Sequence, residues 1–466
     1  MILGGSQMIE VGSHFALFRA HRVSRVSVLL ALLLGQGGAL EAFGQEPRAD
    51  GATAPKEAGE VRARDLGIPF HGTPGPLNAI TDVPGVEVGQ VTLISGEGKL
   101  RPGEGPVRTG VTAILPRGRA SNAPVFAGWF TLNGFGELTG TTFVEETGLL
   151  LGPVMITGTH SMGVVRDATN EWYRRQFEDP VGLLPVVGET WPGTLSDVAG
   201  FHVTRADVFA ALDGAASGPV AEGNVGGGTP MVCHQVKGGI GSSSRVVRAG
   251  SGEYTVGVLV QCNYGSRRLL RIAGVPVGEE LRQLGWCLQL DGKPTLRWKR
   301  RLPRCGEVEG EPGSRSSSPG SRADTPNAPG AAGQPKSSII VVIGTDAPLL
   351  PHQLKRLAKR AAIGIARVGG LGGNTSGDIF IAFSTASRGV EELGIAFLGP
   401  PPPDVIGVDM WADPFIDPIY EGTVDATEEA IVNALVAAET MTGADGVTVP
   451  DLPHDQLMDI LKQYGR

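Results

Sequence analysis

The sequence is short of the residues that metal and nucleotide sites depend on. Its four cysteines, Cys233, Cys262, Cys287 and Cys305, show no C-x-x-C spacing and stand near no His pair, which argues against a structural zinc site. Spacing alone does not pair them. The eight histidines, among them His71, His160, His202, His234 and His352, fall at no metal-ligand spacing and form no Ser-His-Asp series. The G-x-x-x-x-G-K-[ST] frame and the Rossmann fingerprint are both missing, and no cofactor is expected. Beyond residue 44 no apolar run approaches the ~20 residues that a membrane-spanning helix needs. Positive charge is in deficit too: a formal net charge of -8 argues against nucleic acid as the main partner. The basic run Arg297-Trp298-Lys299-Arg300-Arg301 reads as solvated charge beside a linker.

Glycine and proline are abundant, at 70 and 34 of 466 residues, which suits short strands joined by tight turns. Hydrophobic residues make up 41% and charged residues 19%, the balance of a soluble globular chain rather than a disordered one. The N-terminus has the layout of a secretory signal over residues 1–44. Arg19, His21, Arg22 and Arg25 precede the apolar run Val26 to Leu34, and Ala42 and Gly44 sit at -3 and -1 of a cut before Gln45. An uncleaved anchor is the alternative. The expected location is periplasmic or secreted, with no membrane attachment after signal removal. Residues 45–64 read as a loose polar tether.

From Leu66 onward the pattern is of β-branched runs punctuated by Gly and Pro. Val86 to Leu93 alternates like a half-buried strand, and Gly110 to Leu115 follows suit. Pro153 to Thr157 and Tyr254 to Gln261 read as more deeply buried strands. Thr204 with Asp207 caps a helix over Ala206 to Leu212. Pro351 opens another whose Leu354, Leu357, Ala358, Ala361 and Ile365 share one apolar face, with Lys355, Arg356, Lys359 and Arg360 on its solvated or subunit-facing side. Asp425 with Glu428 reads as the cap of a helix over Ala430 to Met441, and a last short helix covers His454 to Gln463. Residues 302–336 are low-complexity, rich in Pro, Gly, Ser and Arg, and cannot build a core. Mixed elements on both sides predict one layered α/β domain interrupted by a loop.

The most pointed feature is where that loop stops, at Ser337-Ser338-Ile339-Ile340-Val341-Val342-Ile343. A hydroxyl opens a buried-looking strand directly after a flexible segment. Cutting before Ser338 would give that serine an α-amine beside its hydroxyl, a nucleophile with its own base; a plain strand start is the alternative. Gly369 to Asp378 gathers amide, hydroxyl and carboxylate groups before the strand Ile379 to Phe383, either a site or an Asx-rich turn. Asn263, at the end of an apolar strand, is a candidate oxyanion donor or a turn former. Gly226-Gly227-Gly228-Thr229 reads as close backbone packing, with phosphate binding as the alternative. His160 reads as structural.

Together these segments resemble the self-cleaving aminopeptidases typified by L-aminopeptidase/D-Ala-esterase/amidase and the β-aminopeptidases. The resemblance rests on Ser338-Ile339-Ile340-Val341-Val342, Thr345-Asp346, Pro351 to Leu357 and Gly373-Asn374-Thr375-Ser376-Gly377-Asp378-Ile379. Upstream it includes Asn78 to Val83, Gly110 to Ile114, Gly188-Glu189-Thr190, Gly223-Asn224, Gly226 to Thr229 and Ala273 to Gly278, so it runs from about residue 62 to the C-terminus without the linker.

What the resemblance implies is an N-terminal-nucleophile-like αββα sandwich, made as a precursor and cut into a larger chain (residues 65–337, carrying the linker) and a smaller one (338–466) that stay associated. It puts the nucleophile on Ser338, the cut between Ser337 and Ser338, the oxyanion donor on Asn263 and the supporting pair on Ser376 and Asp378. Glu189 would meet the substrate's free amine, and Trp191 would line the pocket. Implied partners are short peptides, amino-acid amides or esters with a free amine, and further copies of the chain as a homo-oligomer, a tetramer by resemblance. Asp378 matches the L-aminopeptidase branch, since β-aminopeptidases tend to carry Glu there. Three positions depart from the pattern. Ser337 stands where better-known members have Gly or Asn, and Trp191 replaces a tyrosine, keeping a wall and a donor but no phenolic hydroxyl. The linker is much longer than the usual loop. The alternatives are an acyltransferase of the ornithine-acetyltransferase-like type, which would place threonine at the new terminus, and a non-catalytic binding protein on the same fold.

Overall fold

Alternation along the strands decides the layering. In the computed structural model of the protein, residues 61–179, 181–250, 252–306, 337–386, 389–393 and 403–466 are described. The signal segment, most of the tether and linker residues 307–336 lie outside them. The main strands are β1 (Glu87–Ser95), β2 (Val107–Leu115), β3 (Val125–Gly134), β4 (Leu149–Leu150), β5 (Val154–Gly158), β6 (Val186–Thr190), β7 (Ile240–Ala249), β8 (Gly252–Asn263), β9 (Ser337–Thr345) and β10 (Ser376–Ser384). They form a four-stranded sheet in the order β1-β2-β5-β6 and a six-stranded sheet in the order β4-β3-β10-β9-β8-β7.

The two sheets pack face to face. Ile114, Val154, Ile156 and Val186 from the smaller sheet meet Leu259, Ile340, Val342, Ile379, Ile381 and Phe383 from the larger one in a shared core. With a side-chain period of two, the residues between them point the other way. In the larger sheet these are Val258, Val260, Ile339, Val341, Ile343 and Phe380, which pack against α3 (Pro351–Arg367) and α4 (Asp417–Val436). In the smaller sheet Val111, Ala113, Met155 and Val187 pack against α1 (Met162–Gln176) and α2 (Arg205–Asp213). The result is an αββα sandwich, as expected. Among the described residues no helix is long and apolar enough to cross a membrane.

The local expectations hold in most places. Leu354, Leu357, Ala358, Ala361 and Ile365 are all buried, and the Thr204–Asp207 capping box is present at the start of α2. Gly226 to Gly228 serve close packing: a side chain on Gly228 would put its Cβ 2.5 Å from the Ile240 nitrogen.

Three expectations are corrected. Asp425 and Glu428 do not cap a helix at Ala430, because α4 already begins at Asp417 with Pro418 in its first turn. Both carboxylates instead take the Arg367 guanidinium, at 2.6 and 3.0 Å. The cationic face of α3 stays at least partly exposed, as expected, while pairing within the chain: Lys359 is exposed, Lys355 pairs with Glu145, Arg356 with Asp413, and the Arg360 guanidinium lies 3.9 Å from the Tyr420 ring centre. Lys299 is not solvated; it is fully buried, donates to the Ala444 carbonyl at 2.8 Å and sits 3.5 Å from Asp445. Burial pushes the Lys299 ammonium down to about 8 against the pull of Asp445. Two stretches expected to be loose are fixed where they are described. Residues 302–306 are held by the Cys287–Cys305 disulfide and a backbone bond from Cys305 to Leu288. The tether is fixed from its last residues on, with Ala63 buried and Arg62 bonded to Glu222.

Arg64 and Arg245 both donate to Glu429, which is fully buried, and Asn78 is a third donor at 2.6 Å. Burial works to raise the Glu429 carboxyl, but these partners outweigh it and hold it below its ordinary range. Removing one member of such a cluster strands the rest. Glu429→Ala is expected to destabilise the protein by about 3–5 kcal/mol, read as a lower denaturant midpoint, because Arg245 would remain buried without a counter-charge.

Candidate active site

The site is set by how β9 is seated. It lies between β8, antiparallel, and β10, parallel, and its second residue, Ser338, stands opposite Asn263 on one side and Gly377 on the other. Ser338 shares the parity of Ile340 and Val342, and Asn263 that of Leu259, so both fall on the face turned toward the smaller sheet. Both are almost completely buried. Ile340 touches the backbone of Gly188, where a Cβ would lie 3.1 Å from Ile340 Cγ2, and Glu189 follows it in β6.

Glu189 reaches the same end of the sandwich. Its Oε1 accepts the Glu137 N–H at 3.2 Å, and its Oε2 accepts the Thr159 hydroxyl. Gly136 bridges Glu189 to the nucleophile strand pair: a Cβ there would lie 3.0 Å from Glu189 Oε1 and 3.0 Å from the Gly377 Cα, so only glycine allows this approach. Gly377 is the register partner of Ser338. Asn263 is fully engaged on one edge of its amide. Its Oδ1 accepts the Val232 N–H at 2.8 Å, and its Nδ2 donates to the Trp191 carbonyl at 3.1 Å. The Trp191 indole meets the His160 ring edge-on at 5.7 Å, and His160 in turn bonds the Val198 carbonyl, the structural role expected of it.

Ser376 and Asp378 lie at the start of β10, beside Ser337 and Ile339 in register. Ser376 Oγ donates to Asp378 Oδ1 at 2.5 Å. Burial pushes the Asp378 carboxyl up to about 6, opposed by hydrogen bonds from Ser376 and from the Ile339 N–H. The neighbouring Tyr264 hydroxyl is pushed well above its ordinary value, by burial first and by the Asp378 charge second. Every expected site residue therefore converges on one end of the sandwich. The Ser337 backbone opens β9 there. Sequence reading missed three contributors: Val232 and Thr159, which bond Asn263 and Glu189, and Gly136, which separates Glu189 from Gly377. Thr159 and Gly136 lie in ordinary turn sequences that carry no signal, and Val232 contributes a backbone group that no side-chain motif marks. Among the described residues no group of three or more His, Cys, Asp or Glu side chains could hold a metal ion.

A serine at the head of a central strand, an amide beside it and an αββα sandwich around them define a serine hydrolase of the N-terminal-nucleophile type. The profile of peptidase family S58 matches residues 78–449, and the chain belongs to that family; it is an aminopeptidase. The chain is 52% identical over 405 residues to a β-peptidyl aminopeptidase BapA from Sphingosinicella microcystinivorans, covering 87% of this chain and 93% of the relative. With the protein of the same name from Sphingosinicella xenopeptidilytica it shares 48% over 404 residues, covering 86% and 91%. Two solved structures share the fold. The L-aminopeptidase D-Ala-esterase/amidase from Ochrobactrum anthropi, described as a variant of the Ntn hydrolase fold, superposes with TM-score 0.71 at 45% identity, over 87% of this chain and 99% of that one. A Burkholderia sp. β-aminopeptidase does so with TM-score 0.72 at 44% identity, over the same shares. The acyltransferase and binding-protein alternatives are thereby set aside.

The raised Asp378 value has a defined sign. The folded state holds its proton up to about 6, against an ordinary 3.8, so the ionised carboxyl costs native stability above that window and nothing below it. As pH rises from 4 to 8, the stability of Asp378→Asn relative to wild type is expected to improve by about 2 kcal/mol, measured as the difference in unfolding free energy at the two ends. Comparing two pH values removes any constant effect of the substitution.

Proposed function

We propose that the protein is made as a precursor, cuts itself between Ser337 and Ser338, and then releases N-terminal residues from short peptides, amino-acid amides and esters. The observation that carries this reading is the seating of Ser338 at the head of β9, opposite Asn263 and Gly377. In the precursor, Ser338 Oγ attacks the Ser337 carbonyl, the peptide nitrogen leaves as the new α-amine, and water hydrolyses the resulting ester. In the mature enzyme the same oxygen attacks the substrate carbonyl. The α-amine, with an ordinary pKa of ~7.7–8.0, accepts the hydroxyl proton and passes it to the leaving group. Asn263 Nδ2 keeps a second N–H besides the one given to Trp191, and that N–H is the oxyanion donor; such a donor contributes ~2.7–4 kcal/mol to the transition state. Ser376, held by Asp378, orients the amine.

Glu189 gives the enzyme its preference for a free amino group. It is nearly buried, it accepts two hydrogen bonds that fix its carboxylate, and only the Gly136 backbone lies between it and Gly377, the register partner of Ser338. A substrate ammonium placed there sets the first peptide bond at Ser338. The acyl-side residue is read in two ways. Asp378 favours α-amino residues by its resemblance, whereas the relatives at 52% and 48% identity carry the name β-peptidyl aminopeptidase and favour β-amino residues. Parallel assays of L-alanine and β-homoalanine amides separate the two. We further propose export across the inner membrane and assembly of several copies, on the strength of the N-terminal pattern and the family resemblance.

On a denaturing gel the wild type is expected to separate into two chains, the smaller beginning at Ser338, while Ser338→Ala remains one chain. An intact and fully active wild-type chain overturns self-cleavage. Glu189→Gln is expected to raise KM for free-amine amides by about 10- to 100-fold, the worth of one charge-assisted contact, while processing still occurs because the precursor presents no amine there. Equal turnover of N-acetylated and free substrates would remove Glu189 from the site.

A further inference from the structure

Against the end of β8, the strand that ends in Asn263, lies a small hairpin that the chemistry above leaves unused. Val232–Cys233 pairs with Val236–Lys237, and the turn between them has both central residues, His234 and Gln235, at positive φ (49 and 61°). That is the two-residue turn whose twist matches a hairpin, here made without glycine. The hairpin is fastened to the end of β8 at several points. The His234 N–H donates to the Tyr264 carbonyl at 2.6 Å, the His234 ring packs edge-on against Tyr264 at 4.9 Å, and Cys233 is joined to Cys262 by a disulfide. Cys262 directly precedes Asn263.

One backbone group of this hairpin faces the site. The Val232 N–H is not spent on the hairpin's own ladder; it donates to Asn263 Oδ1 at 2.8 Å. An amide side chain has an accepting oxygen and a donating nitrogen of nearly equal shape, so its orientation is decided by its neighbours. A donor fixed opposite one end compels oxygen there and sends the NH2 to the other end. If the amide turned over, its N–H groups would face the Val232 N–H, and its oxygen would face the Trp191 carbonyl that Nδ2 now serves. Both contacts would become repulsive.

We propose that the disulfide-anchored hairpin positions the oxyanion donor: Val232, held in place by the Cys233–Cys262 bridge, fixes the Asn263 amide with Nδ2 toward the reacting carbonyl. Val232 is a positioning residue here and touches no substrate. The inference rests on Asn263 being the oxyanion donor. The second disulfide, Cys287–Cys305, lies in a separate three-stranded sheet and serves as the internal control.

The test compares four enzymes on one amino-acid amide, with kcat and KM separated and thermal unfolding recorded: Cys233→Ala with Cys262→Ala, Val232→Pro, Cys287→Ser with Cys305→Ser, and Asn263→Ala. The first two are expected to lose about 10-fold in kcat with KM within about two-fold, a part of the 10²–10³-fold that a deleted donor costs. The control pair keeps the wild-type kcat, whatever its melting temperature. Val232→Pro removes the N–H while keeping the disulfide, so it decides the matter alone where the cysteine variant does not fold. If Asn263→Ala leaves kcat unchanged, the oxyanion assignment fails and the clamp with it. If Asn263→Ala loses activity while both hairpin variants keep the wild-type kcat, the clamp alone is overturned. A loss in the Cys287/Cys305 control equal to that in the hairpin variants also overturns it.

Discussion

The whole site hangs on the register of one strand. Ser337–Thr345 is buried on both faces in the middle of the six-stranded sheet, antiparallel to one neighbour and parallel to the other. A slip of one residue would turn Ile340 and Val342 toward the helices and Ile339 and Val341 toward the second sheet, against two differently shaped cores. That penalty locks Ser338 opposite Asn263 and Gly377. Ser338 is therefore placed by the burial of the residues that follow it in β9.

The parts that converge on Ser338 come from far apart in the chain. Asn263 ends β8, Glu189 is the last residue but one of β6, and Ser376 and Asp378 lie at the start of β10. Strand ends are where backbone pairing stops and side chains can turn to a shared space without breaking the ladder. Burial then gives the site its electrostatic character. Asp378 is raised to about 6 by desolvation, yet it keeps two hydrogen-bond donors that favour its charged form, so it remains mostly ionised at neutral pH. A carboxylate balanced in this way holds the Ser376 hydroxyl firmly without needing a cation beside it.

Ionic anchors hold the segments that sheet pairing does not reach. Arg62 and Arg64 tie the start of the described chain to Glu222 and Glu429, and Lys299 with Asp445 joins the segment before the linker to the strand pair near the C-terminus. Each pair is substantially or fully desolvated, which makes it poor at adding net stability but severe when one member is removed. The described residues that flank 307–336 are held by independent contacts, through the Cys287–Cys305 region before it and through β9 after it.

The layered class, the capped α2, the apolar face of α3 and the candidate residues at 189, 263, 338, 376 and 378 were legible in the sequence. They rest on local periodicity, turn chemistry and a run of ordered motifs, all of which act within a few residues of themselves. What sequence reading misjudged shares one cause. Lys299 resembles any solvated lysine, Asp425 and Glu428 resemble a capping pair, and residues 61–64 and 302–306 resemble loose chain, until their partners are brought beside them: more than a hundred residues away for Lys299, Arg62 and Arg64, about sixty for Asp425 and Glu428, and 18 for Cys305. The cysteine pairs, the Gly136 approach to Glu189 and the Val232 donor to Asn263 belong to the same class. Which residue types could do the chemistry is a local property of the chain. Which polar groups are buried, and against whom, is decided only when the two sheets close on each other and water leaves.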